Sequence, residues 1–301
     1  MFNFISKKWL PTVLCIGLIT CPAYAQNNGP AEELNDKIDN INIYISDLIF
    51  RVQPMSVSAG HGVKQTITTY FDKDNKIRAK EIVDYDKQGL LVKVNSQMIL
   101  FSPEFVTVHA YIIVSKEKDQ VLAKEAHLIS LEKKGDCLQY DNDGFCLKIN
   151  ENLIDFKNKI ETAPLTDENT IDCEQLRKNT KHDCILDANG RLIEKYPANI
   201  PFFLRYHYDA QGRISRNDLM VKDPKEYFVE GYQPTERDIY KYTRKWKYTQ
   251  EGYLSKEYRW SSDDRYVYEY DNFDKNGLWT TGTLTINDMF SSTFKREIIY
   301  Y

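Results

Sequence analysis

The stretch Tyr208-Asp209-Ala210-Gln211-Gly212-Arg213-Ile214 decides the fold of this chain. Tyr ends a strand, Asp opens a turn, Gly closes it, and an aliphatic residue begins the next strand. An Asp carboxylate accepts a backbone N–H two residues on, which suits the first position of a type I turn. Gly three residues later adopts a positive φ at little steric cost, as a type I turn followed by a G1 bulge requires. The flanking Tyr, Leu and Ile favour strands. The phrase recurs at Tyr85-Asp86-Lys87-Gln88-Gly89-Leu90-Leu91 and at Tyr248-Thr249-Gln250-Glu251-Gly252-Tyr253-Leu254. A stretched copy opens at Tyr270-Asp271 and closes at Gly277-Leu278. Weaker copies sit at Asp72–Lys76, Asp141–Phe145 and Asp187–Arg191.

Seven such turns predict serial antiparallel hairpins. From Gly190 the turn glycines follow after 22, 40 and 25 residues, so the double step predicts a degenerate turn near Asp223-Pro224. Spacing this uneven excludes a solenoid of identical coils. Strands are expected at Val63–Phe71 and near 76–84, 90–101, 105–115 and 121–131. The apolar run Tyr111-Ile112-Ile113-Val114 predicts a strand buried on both faces. In the C-terminal half, Trp246 and Tyr248 alternate with Lys245 and Lys247; Leu254, Tyr258 and Trp260 alternate with Ser255, Glu257 and Arg259; Tyr266, Tyr268 and Tyr270 alternate with Val267 and Glu269. Period two predicts an antiparallel sheet with an aromatic buried face and a charged outer face, where cross-strand ion pairs help register. Residues 150–182 break the rhythm and read as an irregular insertion, with short helices near 153–160 and 172–181. Leu34, Ile38, Ile41, Ile45 and Leu48 share one helical face, so a helix is expected over about 31–49, against a strand alternative at 41–45. The expected fold is mainly β: an antiparallel meander of hairpins, as an open twisted sheet or partial barrel, with an N-terminal helix. Residues 26–301 are expected to form one domain, with two subdomains as the alternative.

Lys7-Lys8, the apolar run Trp9–Thr20 and Ala23-Tyr24-Ala25 form a secretory signal peptide over 1–25. It is too short for a membrane span, and no other apolar run approaches one. Cleavage removes two lysines and no acid, so the net charge goes from −4 to −6. An acidic exported chain argues against nucleic acid as a partner. The alternative is a lipid anchor at Cys21, because Leu18-Ile19-Thr20-Cys21 approaches a lipobox. Cys137, Cys146, Cys173 and Cys184 remain after cleavage, an even count that predicts disulfides in an exported protein. Of three pairings, Cys137–Cys146 and Cys173–Cys184 close short loops and are expected. Zinc on these cysteines with His182 is the rival. Calcium at Asp141-Asn142-Asp143-Gly144 is another, but the loop lacks an acid at its twelfth position, Asn152.

The chain has 21 Tyr and 4 Trp, which fill sheet faces or stack on sugars. Trp246, Trp260 and Trp279 are the ligand-stacking candidates. The five histidines are His61, His109, His127, His182 and His207. His109 and His127 fall in expected strands where they face each other across a hairpin, or serve structure. No nucleophile elbow, His-Glu-x-x-His, P-loop or dinucleotide fingerprint occurs, so no catalytic residue, cofactor or metal is assigned.

The Tyr-Asp-x-x-Gly-x-Ile/Leu phrases resemble those of YD-repeat, Rhs-like exported proteins. The ending Arg296-Glu297-Ile298-Ile299-Tyr300-Tyr301, the signal peptide and the Cys-flanked turns also resemble YnfC-type envelope lipoproteins. Both resemblances imply an exported β-sheet protein, and neither supplies catalytic residues. The expected function is a non-catalytic envelope protein that binds a protein or glycan. The alternatives are a periplasmic immunity-type protein and a glycan or lipid carrier using an aromatic sheet face. Intact mass of the mature protein checks its address: a first residue of Gln26 is expected, and a diacylated Cys21 would establish the anchor instead.

Overall fold

The computed structural model describes residues 42, 62–99, 106–117, 120–130, 137–154, 156, 160–166, 170–179, 182–197, 201–223, 233, 240–260 and 264–301. The N-terminal strands are β1 (Val63–Phe71), β2 (Ile77–Tyr85), β3 (Leu91–Ile99), β4 (Val106–Lys116) and β5 (Gln120–Ser130). A short hairpin follows, β6 (Cys137–Tyr140) and β7 (Cys146–Ile149), then β8 (Ile160–Pro164) and helix α1 (Cys173–Asn179). The second set is β9 (Asp183–Leu186), β10 (Leu192–Tyr196), β11 (Phe202–Tyr208), β12 (Ile214–Val221) and β13 (Tyr240–Tyr248). It ends with β14 (Leu254–Trp260), β15 (Arg265–Phe273), β16 (Trp279–Ile286) and β17 (Met289–Tyr300). Fifteen strands form one antiparallel sheet, from edge β8 through β5, β4, β3, β2 and β1, then β17 down to edge β9.

The seven turns share one bonding scheme. Asp209 N donates to Arg213 O at 2.8 Å, and Gly212 N donates back to Asp209 O at 3.0 Å. The Asp209 Oδ1 atom accepts from Gln211 N at 3.0 Å and from Arg213 N at 2.9 Å. Two such carboxylate bonds recur at Asp72, Asp86, Asp141, Asp187 and Asp274. Thr249 holds its turn through Tyr253 N at 3.2 Å. The closing residue is left-handed, with φ 80° at Gly212, and Asn75 takes the role at φ 61°. Asp271 is not a turn residue. It lies in β15 opposite Thr281, because Phe273 still finds a partner in Trp279; the turn starts at Asp274. The degenerate turn expected near Asp223-Pro224 falls between β12, which ends at Val221, and β13, which starts at Tyr240, and beyond Asp223 it lies outside the described residues.

Neighbouring turns are tied together. Arg213 pairs with Asp209 at 2.7 Å and lies over the Tyr248 ring of the next hairpin at 4.2 Å. Tyr248 in turn donates to Ile214 O at 2.7 Å. Arg191, Asp187, Tyr208 and Leu192 O repeat the arrangement one hairpin earlier.

The two strand sets meet where β1 pairs with β17, and Tyr301 N donates to Gly62 O at 3.1 Å. One buried cluster draws on strands throughout the order, from Val121 and Ala123 of β5 to Cys184 of β9, so the sheet curls around a shared interior. The insertion joins its two edges. Asp172 N donates to Pro164 O of β8, and the Cys173–Cys184 disulfide ties α1 to β9. Buried Ile171 and Leu176 plug the gap between the edges. Residues 160–164 are a strand, not helix, because Gln120–Lys124 of β5 pairs with them. The Cys137–Cys146 disulfide staples β6–β7, which lies on the outer face. Gln97 and Asn95 of β3 bond Cys146 there, at 2.6–2.9 Å. That lid covers Tyr111, while Ile112 and Val114 enter the main core, so β4 is buried on both faces as its apolar run predicts. The expected N-terminal helix lies outside the described residues, except Asn42. Asn42 is helical and buried, and its amide bonds Gly89 O and Leu91 N, both at 2.9 Å.

Asp209→Ala is expected to lower unfolding stability by about 1–2 kcal/mol, since two turn N–H groups and Arg213 lose their acceptor. Asp209→Thr, which copies the Thr249 solution, should recover part of it. Urea midpoints check both; an unchanged midpoint in Asp209→Ala would overturn the role given to the carboxylate.

Candidate functional site

Six of the seven turned hairpins slip register just after the turn, and β15–β16 keeps its register. Tyr248 faces Leu254, but Lys247 faces Lys256. The extra residue reverses which side chains of β14 point inward. Trp246, Glu257 and Tyr268 are ladder partners across β13–β15 and all three are buried. The sequence pattern placed Leu254, Tyr258 and Trp260 on one buried face and Glu257 and Arg259 outside. The bulge keeps Leu254 inside and turns Tyr258 and Trp260 outward, with Glu257 and Arg259 inward. The expected ion pairing survives on the outer face, where Lys256 bonds Glu269.

The result is a buried ionic belt. Glu257 is fully enclosed; its carboxylate pairs with Arg259 at 2.5 Å and accepts the Tyr270 hydroxyl at 3.0 Å. Arg259 lies over the Tyr268 ring at 4.4 Å, and Arg296 over the Trp279 ring at 4.5 Å. Arg244 is buried directly opposite Arg259. Two guanidiniums facing each other repel, and Glu257 supplies charge compensation beside them. Glu81 is 7% exposed, and burial pushes its carboxyl pKa up to about 7 against the pull of Arg296 and Arg259. Burial likewise raises the Tyr70 and Tyr270 hydroxyls well above the ordinary tyrosine value. Both therefore stay neutral near pH 7.

The three tryptophans separate. Trp246 and Trp279 are both 4% exposed and belong to the core, so neither stacks on an external ligand. Trp279 packs against Tyr270 at 5.0 Å and Phe294 at 5.3 Å. Gly282 makes room for that ring: a Cβ there would stand 2.5 Å from Phe294. Trp260 alone lies on the outer face, stacked on Tyr258 with centroids 5.5 Å apart and planes 12° apart. Lys245 Nζ stands 5.5 Å from the Trp260 centroid and Lys247 Nζ 5.2 Å from that of Tyr258. Among the described residues neither lysine has a carboxylate within pairing distance.

No family model matches the chain, and no curated protein matches it. Among solved structures it is similar to a porin-like protein from Bacteroides uniformis, at 10% identity and a TM-score of 0.37, covering 79% of this chain and 96% of that one. A porin-like protein from Bacteroides vulgatus shows 9% identity and a TM-score of 0.23 over 79% of this chain and 99% of that one.

The remaining candidates resolve as structure. Both disulfides form as expected, which removes the thiolates that zinc needs. Asp141 and Asp143 both bind the Lys80 ammonium, at 2.7 Å for Asp143, so a lysine occupies the carboxylates of the calcium alternative. The β4–β5 register places His127 opposite Ala110 rather than His109. His207 is exposed on the outer face, 3.2 Å from Asp218. The sequence pattern named Glu257 and Arg259 only as outer-face residues and Arg296 only in the C-terminal phrase, and it did not name Glu81. Counting the parity of each strand from its bulge, rather than from its turn, would have put Glu257 and Arg259 inside.

The Glu81 carboxyl makes stability pH-dependent. The unfolded chain releases this proton near 4.5 and the folded chain near 7, so the fold binds more protons in between. Stability therefore falls as pH rises through that window, and the cost is complete above it, on the order of 3 kcal/mol. Glu81→Gln is expected to match the wild type near pH 4.5 and exceed it at pH 8, read as urea midpoints. Equal midpoints at pH 8 would show an ordinary carboxyl.

Proposed function

We propose that this chain is an exported, non-catalytic binding protein that presents the outer face of β13 and β14 to an envelope ligand. The observation that carries this reading is the half-buried Tyr258–Trp260 stack on the outer face, beside the exposed Lys245 and Lys247. A flat aromatic pair on a rigid sheet accepts the C–H face of a sugar ring, and two lysines with no carboxylate partner among the described residues attract negative charge. An exposed cation–π contact is worth only about 0.5–1 kcal/mol, so a ligand displaces a lysine head at little cost. The chemistry fits an acidic glycan better than a neutral one. The signal peptide and two disulfides support an oxidising, extracytoplasmic address. The YD-repeat resemblance supports the same reading through its hairpins alone. An acidic binding face would support the immunity-type alternative, and this platform is basic. The carrier alternative used an aromatic inner face, but the inner Trp246 and Trp279 are packed in the core.

Calorimetry with uronic-acid oligosaccharides and neutral oligosaccharides of equal length tests the reading. Binding is expected for the acidic set, about tenfold weaker in Trp260→Ala through lost stacking, and weaker with added salt. Binding that Trp260→Ala leaves unchanged, or none to either set, would remove the platform from the function.

A further inference from the structure

A second feature stands apart from the outer platform and does not depend on it. It lies at the seam where the first and last strands meet. Across β2, β1 and β17, Glu81 faces Thr68 and Thr68 faces Arg296. All three point into the interior and are buried. The acid and the guanidinium are thus two strand spacings apart, about 10 Å at the backbone. Only a short Thr side chain stands between them, and two long side chains can close that gap. Glu81 makes no hydrogen bond among the described residues. Arg296 rests over Trp279.

We propose that Glu81 and Arg296 form a proton-operated latch across this seam. With Glu81 protonated, the guanidinium stays on the Trp279 ring. When Glu81 releases its proton to solvent, the new carboxylate draws the guanidinium off the ring and over Thr68.

The surrounding groups single out this pair. Arg259 of β14, the other cation acting on Glu81, is already bonded to Glu257. Tyr270 of β15 donates to the same Glu257, and Tyr268 lies under Arg259. Tyr70 of β1 is neutral, held so by burial. Tyr85, on β2 with Glu81, and Tyr270 are the remaining hydroxyls in the field of Arg296. On the β3 side the residue facing Glu81 is Ser96, which carries no charge. An ionised buried carboxylate without a hydrogen bond is costly, and pairing with a guanidinium is its nearest relief. Leaving the ring forfeits the cation–π contact with Trp279. The titration falls near neutrality, where modest acidification changes the state of the seam.

The test follows the indole N–H of Trp279 by two-dimensional NMR of the mature chain from pH 5.5 to 8.5, with Trp279→Phe assigning the peak. A shift with a midpoint near 7 is expected, together with a change in tryptophan emission. Both should vanish in Glu81→Gln. Arg296→Lys, which keeps the charge but loses the flat ring contact, should reduce the amplitude and keep a titration. If Glu81→Gln fails to fold, the Glu81 side-chain carbon signal of the wild type decides the question by its own midpoint. A flat Trp279 signal, a Glu81 midpoint below 5.5, or a titration that survives Glu81→Gln would overturn the latch.

Discussion

One oxygen atom per hairpin holds this structure together. A tight turn that doubles a strand back leaves backbone N–H groups pointing inward with no ladder partner. In six of the seven turns an Asp carboxylate takes two of them, at the second and fourth positions after itself. That capture fixes the type I geometry, which fixes the left-handed closing residue, which in turn fixes the bulge. Because successive hairpins repeat the geometry, the Arg after Gly190 meets Tyr208 before the next turn, and the Arg after Gly212 meets Tyr248. A local hydrogen-bond requirement thereby becomes a long-range one, with consecutive turns stacked along one rim of the sheet.

What the sequence revealed follows the same division. Turns and strand limits depend on residues within a few positions of each other, and β1 was legible to its end residues. The two disulfides were legible because their loops are short. Pairing across the whole chain was not, since nothing in Thr68 announces that Arg296 is its partner. The orientation of β14 was misread for a definable reason. Period-two alternation was carried through a bulge that adds one residue, so Glu257 and Trp260 exchanged faces. Asp271 was misplaced because a second, later Asp was the better neighbour for Gly277. The platform was legible only in part: Trp260 was a candidate, but Trp246 and Trp279 looked the same without the fold.

A large curled sheet has two edges to protect, and this chain uses its irregular segment for that purpose. Unpaired strand edges invite pairing with other chains. Here the residues between β8 and β9 cross from one edge to the other, and the Cys173–Cys184 bridge holds the crossing in place. The second disulfide has a different task. It stiffens a hairpin of two four-residue strands, too small to persist alone, which then shields β3 and β4 from water. The insertion that broke the sequence rhythm is thus the piece that finishes the sheet.

The interior explains why the belt is ionic rather than apolar. Near the turns, Tyr85, Leu91, Leu192, Ile214 and Leu254 fill the space with hydrocarbon and rings. Further along the strands the inward positions carry Glu81, Glu257, Arg244, Arg259 and Arg296. Replacing a buried ion pair with apolar groups usually costs nothing in stability, so stability alone does not account for these residues. Glu257 is held by the Arg259 guanidinium and the Tyr270 hydroxyl and serves the packing of the belt. Among the described residues Glu81 has neither, although Arg296 is within reach of it. A carboxyl left in that condition destabilises the fold as soon as it ionises. Glutamine would avoid the cost with nearly the same shape. The acid is therefore better accounted for by what its proton controls than by what its charge holds together.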